Sequence, residues 1–71
     1  MGIEEKKALQ IAIQTIQDYG YAPELMTSSV RKDNGRWVVH FSLADKTRMG
    51  GDATVYIDSS SWEVVEVQGS Q

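Results

Sequence analysis

The sequence predicts an α+β domain in which one N-terminal helix packs on a four-stranded antiparallel sheet, in the order α-β-β-β-β. Three observations predict it. Apolar residues recur at helical spacing as far as Tyr19, the period changes to two beyond Pro23, and Asn34-Gly35 separates two alternating runs. The whole of residues 1–71 reads as a single domain, without internal repeat or interdomain linker.

With Leu9 as reference and about 100° per residue, Ala8, Leu9, Ala12, Ile13, Ile16 and Tyr19 form one broad stripe, opposite Lys6, Lys7, Gln10, Gln14, Gln17 and Asp18. Glu4 and Glu5 occupy the first turn, where the helix dipole favours negative charge. Gly20 supplies a left-handed stop and Pro23 bars continuation, so the helix is placed at residues 3–19. Ile11 falls on the polar side, as a harmless exposed apolar residue or part of a contact patch.

A weak strand is expected over residues 24–32, with Met26, Ser28 and Val30 on one side. Asp33-Asn34-Gly35 is a hairpin signal, because Asn and Gly accept positive φ. Over residues 36–43, Trp37, Val39, Phe41 and Leu43 alternate onto one face. Residues 44–51 are polar, end in Gly50-Gly51 and read as a loop or wide bend. In residues 52–58, Ala53, Val55 and Ile57 alternate with Thr54, Tyr56 and Asp58. Ser59-Ser60-Ser61 forms a turn, residues 63–67 the last strand, and residues 69–71 a trailing end. Neighbouring strands joined this closely pair antiparallel, and the helix must cover one sheet face to hide its stripe.

Composition narrows the function classes. An apolar share of 41% supports one core, and a net charge of −3 opposes general binding to nucleic acid. The chain has no cysteine, hence neither disulfide nor thiolate metal site. The longest mostly apolar stretch, residues 8–16, is too short and polar to span a bilayer. Residues 1–7 lack the order of a secretion signal, so the chain reads as cytoplasmic, as an excised domain also would.

Reactive constellations are sparse. His40, the only histidine, lies mid-strand opposite the Trp37 row and reads as a half-exposed sheet residue, with a catalytic or pH-sensing role as the alternative. Asp45, Asp52 and Asp58 are too scattered for a calcium loop, and no paired histidines offer a metal site. Gly50-Gly51 beside Lys46 and Arg48 has amides for an anion, but no helix start follows it. The expectation is a protein without catalytic residues, cofactor or metal.

Candidate partner contacts are easier to name. Trp62 sits in a turn, as an exposed anchor or as a ring folded back over the sheet edge. Arg31, Lys32 and Arg36 give the first hairpin a basic tip able to steer an acidic partner, and Tyr56 and His40 share the outer sheet face. Val38, Tyr56 and Val65 are candidate contacts should an uncovered sheet face form a homodimer.

The run Trp37-Val38-Val39-His40-Phe41, then Gly50-Gly51, Val55-Tyr56-Ile57-Asp58 and Val64-Val65-Glu66-Val67, resembles small cystatin-like α/β-roll domains over roughly residues 8–68. It is similar to the short immunity proteins of bacterial polymorphic toxin systems, with their nuclear-transport-factor-like fold, and secondly to PepSY domains. Where both families place Thr-Gly after the Asp, this chain has Ser59-Ser60-Ser61-Trp62. The resemblance implies an inhibitor or immunity-type protein that neutralises a protein partner, a toxin or in the PepSY case a protease, through the sheet face or hairpin tips. It carries over no catalytic residue.

Overall fold

The computed structural model describes residues 2–43 and 52–70. The bend expected over residues 44–51, with Lys46, Arg48 and Gly50-Gly51, lies outside them. The elements are α1 (Ile3–Asp18), a single 3₁₀ turn (Pro23–Leu25), β1 (Met26–Asp33), β2 (Arg36–Leu43), β3 (Asp52–Asp58) and β4 (Val64–Ser70). One antiparallel sheet carries the four strands in sequence order, and α1 lies across one face of it. This is the expected α+β arrangement.

Both helix ends are built from local chemistry. The Glu5 carboxylate accepts a hydrogen bond from the Gly2 N–H at 3.2 Å, beside the positive end of the dipole. At the other end Gly20 takes φ 95°, the Gly20 N–H reaches the Gln17 carbonyl at 3.0 Å, and the Tyr21 N–H reaches that of Ile16 at 2.9 Å. That pair of bonds is a Schellman motif, and it turns the chain sharply back.

The buried line of α1 is Ala8, Ala12 and Ile16, each fully enclosed. It lies against Trp37, Val39 and Phe41 of β2 and Ala53, Val55 and Ile57 of β3. Two alanines on the line let the backbones approach closely. Two expectations for the helix faces need correction. Ile11 is half-buried and packs on the core, as Ile13 does, because the two flank Ala12 by one residue on either side. Tyr19 is 65% exposed, since the chain reverses at Gly20 and Tyr21 takes the core position instead.

The strand ends also differ from expectation. Pro23–Leu25 takes a 3₁₀ turn, so β1 starts at Met26. β4 runs on to Ser70, with Gly69 opposite Ala53. Gly69 leaves room there for the Tyr21 hydroxyl, which lies over that site and would have to shift to admit a Cβ. The Asn34-Gly35 hairpin is as expected, with φ 51° and 76°. Between Tyr56 and Ile57 the pairing with β4 slips, leaving Val65 as an extra residue. Such a bulge blunts an edge strand, and Arg31, Lys32 and Asp33 do the same for β1.

Ala12→Leu is expected to cost about 1–3 kcal/mol, because added methylenes at a fully enclosed site force the helix off the sheet. Tyr19→Ser is expected to change stability by under about 0.5 kcal/mol, as usual for exposed positions. Urea denaturation of both variants checks the pair.

Candidate binding surfaces

Strand alternation splits the six candidate contact residues between two surfaces. Arg31, Arg36, His40 and Tyr56 project from the sheet face that α1 leaves open. Lys32 and Trp62 lie on the helix side, around Trp37. The basic tip expected from Arg31, Lys32 and Arg36 is therefore not one cluster.

On the helix side the two indole rings stack, with centroids 6.4 Å apart and planes 15° from parallel. The Lys7 ammonium stands 4.5 Å from the Trp62 ring centre and the Lys32 ammonium 5.6 Å from that of Trp37. Each such contact is worth about 0.5–1 kcal/mol at an exposed site. Trp62 is half-buried, packed against the core. The ring thus folds back over the sheet while keeping part of its surface in solvent. Trp37 is enclosed, and its Nε1–H has no hydrogen-bond partner.

The turn that presents Trp62 is organised by Asp58. Its Oδ1 accepts from the Ser60 N–H at 2.8 Å and the Ser61 N–H at 3.0 Å. The Ser61 hydroxyl accepts from the Glu63 N–H at 3.3 Å, and the Trp62 N–H reaches the Asp58 carbonyl at 2.8 Å. The backbone donors of Ser61 and Ser60 hold the Asp58 carboxyl below its usual range, helped by the Ser61 hydroxyl and opposed by slight desolvation. Trp62 takes φ 62°, the left-handed conformation for which glycine is the usual residue. The turn keeps the backbone shape of a glycine turn and places an indole there.

The Ser59 N–H donates to the Gly35 carbonyl at 3.0 Å, so the two hairpin turns sit side by side. The sequence placed Lys7 only on the polar helix side and weighed Asp58 only as a scattered carboxylate. An Asp opening a Ser-rich turn is a recognisable signal for side-chain to backbone bonding. Nothing in local pattern ties Lys7 to a residue so far along the chain.

On the open face Ser29, Arg31, Val38, His40, Thr54 and Tyr56 line a shallow groove of about 320 Å³. Val38 is its floor and only 4% exposed. The Arg36 guanidinium lies 5.5 Å from the Tyr56 ring centre. His40 Nδ1 and Thr54 Oγ1 are 2.9 Å apart across β2 and β3, which leaves Nε2 free of that bond. Among the described residues no group of three or more His, Asp or Glu side chains is placed to hold a metal ion. Among the described residues no helix is long and apolar enough to cross a membrane.

No family model, curated protein or solved structure matches the chain. The likeness to immunity-type and PepSY domains rests on the residues quoted for it alone.

Removing the Trp62 ring is expected to cost about 1–3 kcal/mol as Trp62→Ala, through lost stacking and burial. Trp62→Gly should be less harmful by about 1 kcal/mol, because glycine takes positive φ without strain. Equal stability of the two variants in urea denaturation would show that the backbone is unstrained there.

The Asp58 hydrogen bonds also set a pH dependence. Its carboxyl binds protons more weakly folded than unfolded, so its contribution is complete at neutral pH and fades as pH falls below about 4. Asn at 58 keeps the acceptor oxygen without the charge. Thermal melts from neutral pH down to about 2 should fall more steeply for the native chain than for Asp58→Asn.

Proposed function

We propose that the protein is a non-catalytic binding module, of the inhibitor or immunity type, which engages a protein partner through the end where its two hairpin turns meet. The observation that carries this reading is the tie between the turns, Ser59 N–H to Gly35 carbonyl at 3.0 Å, which fixes one composite surface. A half-exposed indole and the cations Lys7, Lys32 and Arg36 stand around it. Preorganised aromatic and cationic groups favour association, because little side-chain freedom remains to be lost on contact.

The contact between α1 and the sheet supports the same reading. Ala8, Ala12 and Ile16 meet Val39, Val55 and Ile57 with every one of these side chains fully buried, so this layer is packed with apolar groups. Loops at one end of a rigid scaffold are a common place for recognition. The likeness to immunity-type domains points to a partner whose activity is blocked when that end docks on it.

Affinity capture with tagged protein tests the proposal, using a lysate of cells that encode the chain. Lys32→Glu/Arg36→Glu should lower recovery of the bound partner about tenfold or more, at unchanged melting temperature. Equal recovery by both forms, or substrate turnover by the isolated protein, overturns it.

A further inference from the structure

The open sheet face has an internal order that strand register reveals. Arg31 pairs with Val38, Val38 with Tyr56, and Tyr56 with Glu66, so these four residues form one row across the sheet. The next row on the same face is Ser29, His40, Thr54 and Gln68. On the hairpin side, Arg36 lies between Asp33 and Asp58. The cations Arg31 and Arg36 belong to β1 and β2, with Asp33 of β1 as the one carboxylate on that side, and the carboxylates Asp58 and Glu66 belong to β3 and β4. The face is therefore more acidic toward β3 and β4, with an apolar and aromatic pair at its middle.

We propose that this face binds a second copy of the chain, sheet against sheet, about a two-fold axis that runs along the strands between β2 and β3. Such an axis keeps each residue's height along the strands and exchanges β1 with β4 and β2 with β3. Arg31 then meets Glu66 of the second copy, Arg36 meets Asp58, and Val38 meets Tyr56, each contact occurring twice as an isologous interface requires. The groove over Val38 receives the Tyr56 ring of the second copy. A two-fold running across the strands at the height of this row instead lays Arg31 over Arg31 and Glu66 over Glu66. The axis along the strands is the one that sets Arg31 against Glu66.

The dimensions suit a reversible dimer. Four strands about 4.8 Å apart and seven or eight residues at about 3.3 Å give a face of roughly 20 by 25 Å. Side-chain relief brings the contact toward the ~800 Å² per partner of a standard interface. Aligned sheet packing at about −30° keeps the central row in register while the corners diverge. The dimer shares Arg36 with the hairpin-end surface, whereas Arg31, Val38 and Glu66 belong to the dimer face alone, so variants at Arg31 and Glu66 separate the two readings.

Sedimentation of the untagged chain between about 1 μM and 1 mM tests it, with a self-association midpoint expected in the micromolar to sub-millimolar range. Arg31→Glu and Glu66→Arg should each weaken association about tenfold or more, and the double variant Arg31→Glu/Glu66→Arg should recover most of the loss, because the pair is restored with reversed sign. Tyr56→Ser should weaken it without rescue. A ¹⁵N dilution series on the native chain gives a measurement free of variants, with shifts expected at Arg31, Val38, Tyr56 and Glu66. A strict monomer throughout, a dimer indifferent to Arg31→Glu, a double variant no better than the singles, or dilution shifts confined to α1 or the hairpin end each overturns the proposal.

Discussion

The rest of the molecule depends on how closely α1 can approach the sheet. Ala8 and Ala12 present almost no side chain along the contact line, and Ile16 fills the space where that line reaches the end of the helix. The small residues are matched by a sheet surface of larger ones, Val39, Phe41, Val55 and Ile57, all essentially buried. Large on one layer and small on the other gives interlocking packing of the kind that a short chain needs. The close approach also explains why Leu9, Ile11 and Ile13 on the flanks of the helix reach the core at all.

A second cluster extends that core toward the hairpin end, at some local cost. Trp37 encloses an indole N–H without a partner, an arrangement worth about 1–3 kcal/mol of destabilisation. Trp62 adds a backbone in the left-handed region, which costs a side-chain-bearing residue about 1–2 kcal/mol. Against these stand the ring stack, two cation contacts and the Asp58 hydrogen bonds that shape the turn. A glycine at residue 62 removes the backbone cost but deletes every contact made by the ring. The tryptophan is held at a backbone conformation that disfavours it by the contacts of its ring.

Elements with strong local chemistry were legible in the sequence. Gly20 ends the helix through a backbone conformation that glycine reaches freely, Asn34-Gly35 forms a two-residue turn, and the strict alternation of Trp37 to Leu43 identifies a strand. Features set by partners distant in sequence were not. Ile11 looked exposed because a helical wheel centred on Leu9 ignores which residues are small enough to form the contact line. Gly69 looked like a tail because the side chain it makes room for is Tyr21, 48 positions earlier in the numbering. The division of Arg31, Lys32 and Arg36 between two faces follows from alternation alone and was readable in principle. The stack of Trp62 on Trp37 was not, since it requires knowing that the turn after β3 bends toward the helix side.

The meeting of Tyr21 with Gly69 bears on the order in which the chain can assemble. It joins the segment just after the first element to β4, so this corner of the molecule cannot close before β4 is in place. Contacts of such wide sequence separation slow folding relative to local ones. The apolar line of α1 likewise gains its cover only from strands that follow it, since β2 and β3 supply its buried contacts, and until they form that line is open to other apolar surfaces.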